Sequence, residues 1–224
     1  MTEVASQPID VAAKAWREAA PGVQMKHLWA DKATGRSAAL VRIEGGAELP
    51  RHRHDGDEVV FVLEGAFGDE FGELTAGNVG YRPNGCVHRV ASANGVTALA
   101  ILTGGVAGVA ADAEAADAPA SQIVTVNDIA WRDALPGVRQ KPIWEDKAAG
   151  RRVLLTRFAP SAALPKHRHA GDELIFVLEG TSEDESGVIR AGDMSYRPNG
   201  CVHTVRSANG ATVLAAVWGG IEPL

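Results

Sequence analysis

Six of the seven histidines fall into two matched sets. His52, His54 and His88 form the first; His167, His169 and His203 form the second, each member displaced by 115 positions. His52-Arg53-His54 places two imidazoles two residues apart. In a strand that spacing turns both rings to one face, close enough to share a metal ion. Glu58 follows after the turn-like stretch Asp55-Gly56-Asp57, which can bring a carboxylate back to the same ion. His88 arrives from a later strand, introduced by the turn Pro83-Asn84-Gly85. Three neutral imidazoles and a carboxylate suit zinc, iron(II) or manganese, with nickel also within range. His167, His169, Glu173 and His203 repeat the set, so the expectation is one divalent metal per repeat. A lone His-x-His is a weak signal, because surface histidines pair by chance. The spaced glutamate, the distant histidine and the second occurrence make this one strong.

The elements that must position these residues are also duplicated. The same offset carries Ser6-Gln7 to Ser121-Gln122, Trp16-Arg17 to Trp131-Arg132, and Phe61–Gly65 to Phe176–Gly180. Tyr81-Arg82-Pro83-Asn84-Gly85-Cys86-Val87-His88 reappears as Tyr196-Arg197-Pro198-Asn199-Gly200-Cys201-Val202-His203. No gap is needed, which marks a tandem duplication with one domain per repeat rather than a solenoid. The domains are read as 1–105 and 121–224, joined by an exposed alanine- and acid-rich linker, 106–120, in which a short helix is allowed. Within each repeat Ser37–Ile43, Glu58–Leu63, Arg152–Phe158 and Glu173–Leu178 read as strands. Turns are expected at Glu64-Gly65, Phe71-Gly72, Ala76-Gly77, Asn84-Gly85 and Asn94-Gly95. Short strands at this spacing predict an all-β jelly-roll barrel per repeat, with helix considered only near Val11–Ala20.

Residues flanking the third histidine are the candidates to line a pocket beside the metal. They are Tyr81, Cys86 and Val60 in the first repeat and Tyr196, Cys201 and Ile175 in the second. A ligand site of the usual size would measure roughly 300 Å³ or more. Each cysteine reads as a small buried filler, with a redox-active thiol as the alternative. Trp29 and Trp144 are expected to line the barrel or a repeat interface. Asp69-Glu70 and Asp184-Glu185 read as solvated turn charges, and His27 as structural or surface.

Composition narrows the partners. A net charge of -6 gives no electrostatic reason to bind a phosphate backbone, so nucleic acid is not expected. No apolar run approaches the ~20 residues of a membrane span, and the first ten residues lack the apolar core of a secretory signal. Two cysteines are no disulfide framework. The expectation is a cytoplasmic protein whose two barrels pack as an intramolecular pseudo-dimer about a pseudo-twofold axis, with further homo-oligomers left open.

Gly46-x5-His52-x-His54-x3-Glu58-x6-Gly65 resembles the first motif of the cupins, and Gly77-x5-Pro83-x-Gly85-x2-His88 the second. Ser92 stands where many cupins have Asn; in the second repeat Ser161 replaces the first glycine and Ser207 the last Asn. The surrounding words, His-x-His-x-x-Asp-Glu, Val-Leu-Glu-Gly and Tyr-Arg-Pro-x-Gly-x-x-His, resemble the ChrR-like cupins over nearly the whole chain. That group includes the cupin domain of an anti-sigma factor and has relatives near acetylacetone-cleaving dioxygenases. The resemblance implies two tandem cupin barrels and a regulatory module responsive to a small molecule or oxidant at the metal. Anti-sigma factors of this kind grip their sigma factor with an N-terminal helical domain. Here the first repeat begins near Ser6, so sigma-factor binding is not expected. An iron(II)- or manganese-dependent dioxygenase on a small diketone-like or phenolic substrate is the alternative. The acetylacetone-cleaving relatives resemble a three-histidine site without the acid, and the presence of Glu58 and Glu173 leans away from them. A structural zinc site without chemistry is the third reading.

Overall fold

A computed structural model describes residues 4–111 and 117–224. The first repeat is built from short antiparallel strands. In chain order they are β1 (Gln7–Ile9), β2 (Arg17–Ala20), β3 (Val23–Asp31) and β4 (Arg36–Ile43). Next come β5 (Glu48–His54), β6 (Glu58–Asp69), β7 (Gly72–Thr75), β8 (Val79–Arg82) and β9 (Val87–Ala91). The half closes with β10 (Val96–Leu102) and β11 (Val106–Gly108). The second half runs β12 (Gln122–Val124), β13 (Arg132–Leu135), β14 (Val138–Asp146), β15 (Arg151–Phe158) and β16 (Ala162–His169). It continues with β17 (Glu173–Asp184), β18 (Gly187–Arg190), β19 (Met194–Arg197), β20 (Val202–Ser207), β21 (Ala211–Trp218) and β22 (Ile221–Pro223). These are two tandem all-β cupin barrels, each an antiparallel sheet curled upon itself. Among the described residues no helix is long and apolar enough to cross a membrane.

Three local expectations are corrected. Val11–Ala20 holds turns and the strand β2, not a helix. β2 pairs with β3 through the Pro21-Gly22 hairpin, and Trp16 just before it stacks under Arg42, 4.3 Å from the ring centre. Glu64-Gly65 is not a turn but a bend inside β6, where the pairing with β10 skips Leu63 and Gly65 takes φ 75°. The bulge and left-handed glycine let one strand pair with β8 and β10 along its first half and with β7 and β9 along its second. The linker is not wholly free, since Val106–Gly108 pairs with His52–His54 of β5. Part of the helix considered for the linker, 112–116, lies outside the described residues.

The compact units differ from the sequence repeats. Lys14–Asp128 form one; Ile129–Leu224 and the described residues before Lys14 form the other. The reason is an exchange of edge strands. β1 pairs with β19, Gln7 opposite Tyr196, and β12 pairs with β8, Gln122 opposite Tyr81. Each repeat thus contributes its opening strand to the other repeat's barrel.

Within the first unit Val23, Ile43, Val60, Val62, Phe67, Leu74, Val90, Val96 and Ala98 form the core. Val60 and Val62 share a strand face with Glu58, so apolar packing turns that carboxylate inward. The second unit has the equivalent core around Val138, Phe158, Ile175, Val177 and Val213.

Candidate metal centres

β5 carries His52 and His54 on its buried face with Arg53 exposed between them, as alternation requires. β9 lies alongside and sets His88 directly opposite His52. Between Leu49 and His52 the register slips by one residue, a bulge that accommodates Pro50, which has no N–H to give the ladder. The freed Pro50 carbonyl accepts the Nδ1–H of His52 at 2.8 Å. In the second unit the Pro165 carbonyl does the same for His167, and His167 faces His203.

The third histidines are fixed from another direction. His88 Nδ1 lies 3.1 Å from Asp69 Oδ2, and His203 Nδ1 lies 3.0 Å from Asp184 Oδ2. A carboxylate only accepts, so Nδ1 carries the proton and Nε2 presents a lone pair. The Asp69 and Asp184 carboxylates are 2 % and 7 % exposed, so neither is a solvated turn charge; that expectation holds for their exposed neighbours Glu70, which reaches Arg51 at 2.8 Å, and Glu185. Burial opposes ionisation of Asp69, but the His88 hydrogen bond and Arg82 outweigh it and hold its carboxyl below the usual range.

The ligand nitrogens of His52, His54 and His88 lie within 4.8 Å of one another, as do those of His167, His169 and His203. His54 Nε2 and His88 Nε2 are 2.9 Å apart; the second unit has 2.9 Å for His169–His203 and 3.1 Å for His167–His203. Burial lowers the pKa of His52 and His167, and that of His54 and His169 to about 4, so these rings are neutral near pH 7. In each unit two of the three imidazoles donate Nδ1–H outward, so their Nε2 lone pairs meet in a dry interior. A cation between the rings would satisfy those lone pairs, and the donor set fits a divalent ion.

Glu58 and Glu173 stand one step back from the histidines. Glu58 Oε2 is 3.8 Å from His54 Nε2, and Glu173 Oε2 is 3.9 Å from His169 Nε2. Burial works against their charged forms, but Arg82 or Arg197 and the imidazoles prevail and keep both carboxyls below the usual range.

The buried arginines were missed from the sequence. Strand alternation on β8 puts Arg82 inside, 1 % exposed, and turns Tyr81 away; β19 does the same with Arg197 and Tyr196. A phase chosen by apolar character selects the tyrosine. The inward arginine is stable because Asp69 lies 3.0 Å from Arg82 and Glu173 lies 2.7 Å from Arg197.

Of the six pocket candidates, Val60 and Ile175 line the cavities beside the histidines. Tyr81, Tyr196, Cys86 and Cys201 do not. Cys86 sits in the turn before β9, its N–H on the Pro83 carbonyl, so strand alternation does not reach it. Both thiols are fully buried, and burial raises their pKa, to about 11 for Cys86, as for inert fillers. Each cavity measures about 50 Å³, far below the expected 300 Å³, because core valines and alanines close over the histidines. Trp29 and Trp144 belong to neither cavity; each lies beside an arginine, Arg36 or Arg151. His27 is exposed.

The model of the ChrR cupin-like domain matches residues 4–106 and again 119–220. The chain belongs to this family. Among curated proteins no sequence matches. Solved structures share the cupin architecture at low identity. One is a Nostoc punctiforme protein provisionally assigned as a dioxygenase, with TM-score 0.81 and 16 % identity, covering 96 % of this chain and 83 % of that one. Another is Bacillus subtilis oxalate decarboxylase, studied for its Mn(II) centres, with TM-score 0.73 and 13 % identity, covering 100 % of this chain and 80 % of that one. These likenesses show the fold.

Proposed function

We propose that this ChrR-like bicupin is a regulatory module that holds one divalent metal per barrel and responds to a small ligand or oxidant reaching the ion. The observation that carries this reading is the 50 Å³ cavity beside each histidine triad. It admits a ligand of a few heavy atoms, dioxygen- or peroxide-sized, and is well short of the usual site for an organic substrate.

His52, His54 and His88 would hold one ion and His167, His169 and His203 the other, with Glu58 and Glu173 as fourth donors. Such an ion supplies Lewis acidity and an exchangeable coordination position. The chain's own part is to keep the rings neutral, to orient His88 and His203 through Asp69 and Asp184, and to exclude bulk water with apolar walls. Spacing bears on the metal. Two nitrogens about 2.1 Å from one ion lie about 3.0 Å apart at a right angle and about 3.4 Å apart at the tetrahedral angle. The 2.9–3.1 Å for His54–His88, His169–His203 and His167–His203 is near the right-angle value, which supports six-coordinate iron(II) or manganese over closed structural zinc. The module responds to a small molecule in the cytoplasm, and its net charge of -6 argues against nucleic acid as a partner.

A dioxygenase on a diketone-like or phenolic substrate is the second reading, favoured by the open positions a facial triad leaves. Metal analysis after reconstitution should approach two ions per chain. Azide or nitric oxide should then shift the spectrum of the iron(II) form, while diketones and phenolic ketones cause no oxygen uptake. Sustained uptake with product release would replace the regulator by the dioxygenase, and a chain that retains no metal would end both readings.

A further inference from the structure

The two sites share every ligand, yet their arginines point differently. In the first unit Arg82 withdraws: one guanidinium nitrogen is 3.0 Å from Asp69 Oδ2, and its nearest approach to Glu58 Oε2 is 3.6 Å. In the second, Arg197 reaches forward, with Nη1 2.7 Å from Glu173 Oε2 and 3.9 Å left between Nη2 and Asp184 Oδ2. The oxygen that Arg197 grips is the one that faces His169.

The repeats differ two residues before the arginine, where Gly80 corresponds to Ser195. A Cβ at Gly80 would stand 2.5 Å from Arg82 Nη1, so the withdrawn pose uses space that only glycine leaves. Ser195 fills that space in the second unit and is itself 2 % exposed. A second difference acts in the same direction. The Ser6 hydroxyl, brought in by β1, sits 3.3 Å from His203 Nδ1 and 3.6 Å from Cys201 Sγ. It also hydrogen-bonds Asp184 and helps lower that carboxyl's pKa. The corresponding Ser121 instead donates to the Tyr81 carbonyl.

We propose that the two metal centres are unequal, and that Gly80 and Ser195 set the difference by positioning the buried arginine. With Arg82 drawn onto Asp69 and no nearer than 3.6 Å to Glu58, that carboxylate is held less closely and can join His52, His54 and His88 as a fourth donor. With Arg197 2.7 Å from Glu173, the second centre's fourth donor serves the ion only in competition with the guanidinium. The first centre therefore binds metal more tightly. Gly80 and Ser195 are positioning residues, since neither touches the ion.

This rests on the metal-binding reading above, and the test separates the two. Manganese(II) is titrated into the full, metal-stripped chain, and free ion is followed by electron paramagnetic resonance. His54→Ala and His169→Ala backgrounds assign each isotherm to one centre. Wild type should show two classes of site differing by about tenfold or more, the range typical of perturbing a ligand's supporting partners. Ser195→Gly should tighten the second site toward the first; Gly80→Ser should weaken the first toward the second. Gly80→Ala adds the Cβ without the hydroxyl and should act like Gly80→Ser, which covers a serine variant that fails to fold. Two equal wild-type sites, or unequal sites that ignore these exchanges, would overturn the proposal while leaving metal binding intact. No binding at either site would sink the metal reading itself.

Discussion

At the scale of single residues, the chemistry depends on keeping polar groups neutral or paired in a dry interior. His54 and His169 are buried as neutral imidazoles with pKa values near 4, against an ordinary 6.5. Unfolded imidazoles take up protons below pH 6.5, while the folded ones wait until about pH 4. The metal-free chain must therefore lose stability as pH falls through that window, by about 3 kcal/mol for each of the two residues, and gain nothing above it. Urea midpoints of metal-free protein should stay level from pH 7.5 to about 6.5 and fall from there to pH 5, and His54→Asn should flatten part of the slope. A midpoint independent of pH would show the rings to be hydrated. The histidines and glutamates were legible because a ligand set at fixed spacing, occurring twice, is a local signal. Asp69 and Arg82 were not, because their pairing joins positions brought together only by the bend in β6. A carboxylate beside Phe71-Gly72 looks like any solvated turn charge until the fold folds that turn back over His88.

At the scale of elements, the long central strand does the positioning. β6 begins beside the histidines with Glu58, turns a corner at Gly65, and ends with Asp69 behind His88, so one strand supplies both carboxylates of the first candidate centre. β17 repeats this with Glu173, Gly180 and Asp184. The strands and most glycine turns were readable from the sequence. The corner was not, since a left-handed glycine has the same signature in a hairpin turn and in a bulged strand. At Gly65 any Cβ would run into the Gly95 carbonyl oxygen, in addition to the strain of φ 75°. Gly65→Ala should cost about 3 kcal/mol or more and weaken metal binding in the first unit by shifting Asp69 off His88. Chemical denaturation measures the first effect and metal titration the second. An alanine variant as stable as wild type would mean that the corner is not set by this glycine.

At the scale of the whole chain, the duplication and the architecture are related in a way that the repeat alone does not disclose. A gapless offset reads the same whether each opening strand completes its own barrel or the other one. The structure selects exchange: Val4 bridges to Cys201, Ser6 contacts Cys201 and His203, and Gln7–Ile9 pairs with Met194–Tyr196. The N-terminal strand therefore covers the second candidate metal centre rather than the first, which lies in its own repeat. Removing residues up to Ile9 should strip β19 of its edge and let water reach Cys201, whose thiol burial now holds above its ordinary pKa. Cys86 keeps its cover, because its barrel is closed by β12. Labelling of native protein by a thiol reagent at pH 8 should accelerate at Cys201 by about tenfold or more, with Cys86 unchanged. Peptide mapping of the labelled chain distinguishes the two sites. Acceleration at Cys86 instead would mean that the strand completes its own repeat. Equal protection of both thiols would mean that β1 is not needed to seal either barrel.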